Sequence, residues 1–545
     1  MALWQQLTSC ILFLLFNATL LSAQSTRMNS ISTSTDIQPS QLLSKPVADN
    51  WLSYNGDYTG RRFTALREIN LANVSQLRAE WVFHVQNSDH LEVTPVVADG
   101  IMFVTSANDA FALDAQTGRT LWHYSRPVTE GLIDDASQHH NRGVAIWRNR
   151  VYMETDNAHL LCLDARSGHL LWDVAYTDGN RNYGATSAPL VVKDKVLVGT
   201  SGGDDGVRGF VAAYDAETGK EAWRYWTIPA PGEFGSSSWP GESYKLGGGT
   251  TWMPGTFDPD LNTIFWGTSN PAPDFDGGPR PGDDLYTDCL LALDPDTGKL
   301  KWFFQFTPHD LFDYDAVETP MLVDAIFRGQ PRKLIVEANR NGFIYLLDRT
   351  NGAFLQATRF AEKLNWATGI DEKGRPLRTE VKPTATGTRV CPGMVGATNW
   401  HSPAFNPDTS MLYFVALESC DVYMLKPREF RPGQTYYSTG VRHSEGDFNQ
   451  KILLAYSLDG NKPSWRYVQA GEGHSAGGVM TTATGLVFFG DDAHSFEAVD
   501  AQTGKPLWHF NTGQTISASP MSYAVNSKQY VSIAAGSDVF SFTLP

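Results

Sequence analysis

The sequence predicts an all-β protein, an eight-bladed β-propeller built from tryptophan-docking-type repeats, on three observations. A turn phrase recurs along the chain, no helical segment separates its copies, and the two chain ends read as halves of one blade. The phrase is clearest at Ala112-Leu113-Asp114-Ala115-Gln116-Thr117-Gly118, followed by Trp122. It returns at 163–168 with Trp172, 214–219 with Trp223, 293–298 with Trp302 and 499–504 with Trp508. Asp at the head of the turn bonds amides two residues on, the closing Gly accepts positive φ, and the apolar residues on either side suit strands. Each copy therefore reads as a strand, a tight Asp-x-x-Thr-Gly turn and a second strand whose Trp packs inward. Self-similarity at this period marks a propeller with one copy per blade.

Residues 1–23 read as a secretory signal peptide, because 4–22 are mostly apolar and uncharged and small residues Ser22-Ala23 precede Gln24. A membrane anchor is the alternative, but Ser9, Asn17 and Thr19 interrupt a stretch of marginal length. Export with cleavage predicts a periplasmic or secreted protein with no membrane span in the mature chain. Residues 24–44 are expected to form a flexible N-terminal segment, and 45–545 a single propeller domain. Residues 70–85 contain Glu80-Trp81-Val82-Phe83, which resembles the strand after the turn in other copies. They are expected to complete a blade begun by C-terminal strands at 529–544, a closure that removes exposed sheet edges. The Trp spacing is 50 and then 51 residues, and it lengthens to 79 before Trp302, where an insertion rich in Gly, Pro and Ser spans about 229–249. Worn copies at 347–352, without a Trp, and at 455–460, with Trp465, bring the visible copies to seven; the closing blade is the eighth.

A net charge of −16 without any basic block argues against nucleic acid as a partner and suits a cationic protein partner. Beyond the signal the chain has Cys162, Cys289, Cys391 and Cys420, and no Cys-x-x-Cys-His for attaching a c-type haem. In an oxidising compartment Cys391 and Cys420 can pair across a strand-turn-strand unit; four buried thiols are the alternative.

A propeller is a scaffold, so chemistry has to be sought in the irregular polar segments between repeats. Asp310, Asp313 and Asp315 stand in Pro308-His309-Asp310-Leu311-Phe312-Asp313-Tyr314-Asp315. In a strand or extended loop, residues two apart share a side, so Asp313 and Asp315 can aim at one point and would then need a cation between them or a shared proton; a solvated acidic loop is the alternative for the triplet taken alone. Asp204, in Gly203-Asp204-Asp205-Gly206, and Asn270, in Gly267-Thr268-Ser269-Asn270-Pro271, each follow a strand. Hard cations such as calcium gather carboxylate and amide oxygens from several loops in this way. Gly247-Gly248-Gly249-Thr250-Thr251-Trp252 adds a glycine run on which a flat ring can lie against Trp252; a core role is the alternative for that indole.

The repeats, Gly-Gly-Gly-x-x-Trp, Gly-Thr-x-Asn-Pro, Asp-x-Asp after Pro-His-Asp, Ala-Asn-Arg-Asn-Gly at 338–342 and Cys-Pro-Gly-x-x-Gly-x-x-Asn-Trp at 391–400 together resemble one family. It is that of the pyrroloquinoline quinone (PQQ)-dependent alcohol and methanol dehydrogenases, quinoproteins with eight-bladed propellers, and the resemblance runs over about residues 45–545. It implies PQQ beside a metal held by Asp204, Asn270 and Asp313, with Asp315 matching the additional carboxylate of lanthanide-dependent members. Asp313 is then also the general base, Arg340 the cation at the quinone oxygens and Trp252 the floor under the ring. Glu92, Arg142, Thr186, Ser201, Gly202, Gly203, Thr250 and Asn399 fall where the family contacts PQQ. The family usually has Glu where this chain has Asp204, one methylene shorter. The vicinal Cys-Cys that often covers the PQQ face is absent; the stretch before Arg142 reads Ala136-Ser137-Gln138-His139-His140, so His139 or His140 is a candidate for that face.

The implied activity is oxidation of an alcohol to an aldehyde, with a lanthanide(III) ion favoured over calcium because three carboxylates meet at the site. Electrons would leave to a separate acceptor such as a c-type cytochrome. A PQQ dehydrogenase for sugars, polyols or aldehydes is the alternative within the class, and a non-enzymatic propeller scaffold the alternative outside it. The oligomeric state is open, a homodimer included.

Overall fold

The recurring Asp-x-x-Thr-Gly phrase forms the outer hairpin of a blade. Asp114 Oδ1 accepts the amides of Gln116 and Thr117 at 2.9 and 3.1 Å, and the Gly118 amide donates to the Asp114 carbonyl at 2.8 Å. The extra residue shifts the register between Ala112 and Leu113, a bulge that recurs in the equivalent hairpins and tightens the local twist. The computed structural model describes residues 35–86, 88, 90–437, 439–444 and 449–545. The expected signal peptide, and 24–34 of the expected flexible segment, lie outside the described residues. Of that segment, 35–44 pack against the propeller: Ile37 is fully buried and bridges Arg148, and a short helix spans Pro39–Leu42.

Eight antiparallel sheets of four strands, one of them extended by a fifth, carry the fold among the described residues. The first consists of Val96–Ala98, Ile101–Ser106, Asp109–Asp114 and Thr120–Ser125. Its first strand is wholly buried and its fourth alternates between solvent and protein, so each sheet runs from a buried edge to an outer one. The closing blade forms as expected: Arg78–His84 pairs antiparallel with Asp538–Thr543. Phe63–Thr64 adds the fifth, parallel strand to Val479–Thr482, a second tie between the chain ends.

The tryptophans pack inward against the neighbouring blade. Trp122 lies on the turn of the next blade, donating from Nε1 to the Ala165 carbonyl at 2.9 Å. A Cβ on Gly168 would stand 2.6 Å from that indole, so the turn needs glycine both for its φ of 71° and for this approach. Trp81, Trp223 and Trp465 repeat the bond on the turns carrying Gly118, Gly298 and Gly504. Trp508 closes the series on the Leu77 carbonyl. An indole stays flat against a neighbour's backbone at little entropic cost, and it ties each blade to the next.

Blade topology sets where function sits. In a four-stranded antiparallel sheet, the link from strand two to strand three emerges at the same end as the link from strand four to the next blade. Two such links in the later blades are long enough to form their own sheet, Thr388–Val390 with Asp421–Leu425 and Thr439–His443. Cys391 and Cys420 flank it and form the expected disulfide, while Cys162 and Cys289 are buried free thiols. Among the described residues no helix is long and apolar enough to cross a membrane.

Candidate active site

Nearly every candidate residue lies in one of these co-facial links. Glu92, Arg142, Thr186, Thr250, Trp252, Asp313, Asp315 and Asn399 precede the first strands of successive blades. Ser201, Gly203, Asp204, Asn270 and Arg340 sit between strands two and three. All of them line one cavity of about 240 Å³. Gly202 does not line it. With φ at 92°, it turns the chain into the 3-10 segment Gly203–Asp205, and a Cβ there would overlap the Asn182 carbonyl oxygen.

Asp313 and Asp315 do aim at one point, which is the Arg340 guanidinium. Its Nη2 is 3.3 Å from Asp313 Oδ2 and its Nη1 3.0 Å from Asp315 Oδ2. The loop is not an extended strand as the spacing suggested. Asp310 turns away and accepts the amides of Phe312 and Tyr314 at 3.0 and 2.8 Å, and Asp313 takes a left-handed φ of 65°. Asp310 thus orders the loop and leaves its two neighbours to the cavity. Asp315 is further held by the Trp252 indole N–H at 3.0 Å on Oδ2 and the Asn270 amide at 2.7 Å on Oδ1. An oxygen with two lone pairs and one donor keeps one direction for a cation, so Oδ1 is the Asp315 atom that could hold one. Asn270 Nδ2 donates to Asp204 Oδ1 and Asp274 Oδ1 at 3.0 and 3.1 Å, which reserves its amide oxygen for the same purpose.

Three acidic side chains face one guanidinium in a buried setting, so the protonation equilibria are strained. Burial drives Asp313 well above the ordinary carboxylate range, the charges of Asp204 and Asp315 add to this, and Arg340 opposes it. Burial likewise raises Asp315 to about 6 and Glu318, whose Oε1 accepts the Arg340 amide, to about 8. A carboxyl group whose folded pKa exceeds its unfolded value stabilises the fold below the unfolded pKa, and that stability is lost as pH rises through the folded pKa. Metal-free protein is therefore expected to lose stability between about pH 4 and pH 8, at about 1.4 kcal/mol per pKa unit and group. Thermal melts at pH 5 and pH 8 should show a shallower slope in Asp315→Asn; an unchanged slope would remove Asp315 from this account.

The other wall is cationic and aromatic. The Arg142 guanidinium lies 5.0 Å from the Trp252 ring and 4.5 Å from Trp400, and its Nη2 is 2.6 Å from Glu92 Oε2. Arg142 Nη1 also donates to the Thr186 carbonyl at 2.9 Å. The Thr250 and Ser269 hydroxyls are 2.9 Å apart, and Asn399 uses its amide within its own loop, on Val395 and Trp400. Arg142 Nε, Arg340 Nε and Ser201 Oγ are buried without a protein partner, the condition expected of groups awaiting a polar ligand.

These residues fit PQQ and a hard cation: a half-buried indole face and buried donors for a flat carboxylated ring, and three carboxylates with one amide for the ion. Trp252→Ala is expected to weaken PQQ retention at least about 10-fold by removing an aromatic contact of about 1 kcal/mol together with its apolar area. The propeller should still melt cooperatively; if the variant unfolds instead, the indole is a core residue.

Sequence reasoning missed Tyr437, whose hydroxyl donates to Asp204 Oδ2 at 2.8 Å from the link between Asp421–Leu425 and Thr439–His443. Nothing in the repeat marks that residue. Trp400, Ser269 and Gln138 also line the cavity; Trp400 was visible only as the neighbour of Asn399. Of the two candidate face-covering histidines, His140 lines the cavity, whereas His139 lines a second one.

The glucose/ethanol/alcohol dehydrogenase β-propeller domain, a PQQ family, matches residues 51–359 and 460–531. The chain is 37% identical over 510 residues to the quinohemoprotein alcohol dehydrogenase ADH IIB of Pseudomonas putida, covering 89% of this chain and 73% of that protein. It is 34% identical over 523 residues to the lanthanide-dependent methanol dehydrogenase of Methylacidiphilum fumariolicum, covering 89% and 84%. Among solved structures, the quinohemoprotein alcohol dehydrogenase of Comamonas testosteroni superposes with a TM-score of 0.87 at 31% identity, over 94% of this chain and 83% of that one. A europium-containing methanol dehydrogenase superposes with a TM-score of 0.85 at 30% identity, over 91% and 98%. A cavity of this composition, lined by the co-facial links of successive blades and on a chain so matched, places the protein in the family of PQQ-dependent alcohol dehydrogenases.

Proposed function

We propose that the protein oxidises a small primary alcohol to an aldehyde, using PQQ and a lanthanide(III) ion, and passes the electrons to a separate acceptor such as a c-type cytochrome. The observation that carries this reading is the convergence of Asp313 and Asp315 on Arg340 in the cavity that Asp204 and Asn270 also line. PQQ, when bound, supplies the two-electron acceptor for the hydride of the alcohol carbon. Asp313 takes the hydroxyl proton on its carboxylate. A base must be ionised; burial holds the Asp313 carboxyl raised even with Arg340 at 3.3 Å, so a cation bound beside it would have to complete its ionisation. Arg340 would also offer positive charge to the oxygens of the bound cofactor. Asp204, Asn270, Asp313 and Asp315 would hold the ion, which would act there as a Lewis acid.

Relatives named as alcohol and methanol dehydrogenases favour an alcohol over a sugar or polyol. The net charge of −16 suits docking of a cationic redox protein. The apolar, uncharged run at 4–22 supports export to the periplasm or beyond. The test is dye-linked oxidation of ethanol, glycerol and glucose by apoprotein with and without PQQ, in lanthanum or in calcium. Activity on ethanol that requires PQQ is expected; equal activity without PQQ would overturn the reading.

A further inference from the structure

The geometry points to a second metal site in this chain, a zinc- or copper-type centre formed by His90 Nε2, Glu92 Oε1 and His140 Nδ1. Glu92 Oε1 lies 3.5 Å from His90 Nε2 and 3.0 Å from His140 Nδ1, and the three atoms lie within 4.8 Å of one another. Nitrogen and oxygen ligands about 2.0–2.1 Å from a tetrahedral ion stand roughly 3.3 Å apart, so little movement is needed to seat one. The placement follows from the fold. His90 and Glu92 are two residues apart ahead of Val96–Ala98 and share a side, and His140 comes from the loop ahead of Ala145–Trp147 in the neighbouring blade.

The donor set selects the ion. Two imidazoles and one carboxylate suit zinc and copper, whereas calcium and lanthanides take oxygen. This separates the centre from the Asp204, Asn270, Asp313 and Asp315 group, which offers oxygen alone. Arg142 Nη2, 2.6 Å from Glu92 Oε2, turns the other oxygen toward the histidines, as partners behind a metal ligand do. His90 is partly exposed and lines a second cavity, and Gln138 lines both that cavity and the one that holds Glu92 and His140. Three protein ligands leave a position for water or a small anion.

The test uses the full chain, free of PQQ and stripped of metal, so its failure leaves the alcohol-oxidation reading untouched. Calorimetric titration with zinc chloride is expected to show one site that loses at least about 10-fold in affinity in His90→Ala and in His140→Ala. The same site should persist in Asp204→Ala, and lanthanum should not compete for it. With copper(II), electron paramagnetic resonance should report two coordinated imidazole nitrogens in wild type and one in each histidine variant. His90 is partly exposed, so its variant should fold with an unchanged melting temperature. Equal zinc affinity in wild type and folded His90→Ala, or a copper spectrum without two imidazole nitrogens, would reduce the trio to a hydrogen-bonded cluster and overturn the site.

Discussion

Asp313→Asn is expected to lower kcat for alcohol oxidation by about 10²- to 10⁴-fold, the range that a positioned general base contributes. The substitution keeps the volume and one oxygen at the site but removes the atom that takes the proton. Asp313 is buried, and among the described groups Arg340 is the cation within 4 Å of it, so no second carboxylate stands ready in the same relation to that guanidinium except Asp315. Asp315 is a poor substitute. Its Oδ2 already accepts both the Trp252 indole and Arg340, and its Oδ1 accepts the Asn270 amide. The measurement is kcat and PQQ content side by side. A large loss of kcat with PQQ retained supports the role, whereas a kcat near wild type would assign the proton to another group.

Asp315→Ala is expected to abolish lanthanide-dependent activity, by about 10²-fold or more if the ion is the main electrostatic stabiliser of the transition state. Asp204, Asp313 and Asp315 would bring three formal negative charges to the ion, and Asn270 would add a neutral oxygen. A trivalent ion compensates more of their mutual repulsion than calcium does, at similar size and with the same hard ligands. Asp204 bears on the affinity. Its side chain is short and is already engaged by Asn270 Nδ2 and the Tyr437 hydroxyl, so an ion has to share it with those donors. Titration of PQQ-loaded wild type and Asp315→Ala with lanthanum and with calcium reads the result. Full activity in calcium alone, indifferent to Asp315, would overturn the assignment. A melting curve of the variant separates loss of the ion from collapse, because the substitution also strands the half-buried Trp252 and buried Asn270 donors.

The repeat was legible because its information is local. Asp114, Thr117 and Gly118 satisfy one another within a single turn, so the phrase that encodes a hairpin is contiguous and its copies can be aligned by eye. Closure by Arg78–His84 was legible from the same repeat, the disulfide from the oxidising compartment that export implies, and the meeting of the acidic and glycine-rich links at one cavity from the family resemblance. Other features depend on neighbours distant in sequence, and only the tertiary structure decided them. Trp122 faces the next blade's turn because Gly168, 46 residues on, leaves room for it. Asp313 reaches Arg340 from a left-handed conformation because Asp310 captures two amides of its own loop. Tyr437 meets Asp204 across 233 residues, and His140 meets Glu92 from the adjacent blade. A turn needs only its own few residues, whereas a site on a propeller face is assembled from loops that the chain delivers one blade at a time, and their side-chain contacts exist only once the ring has closed.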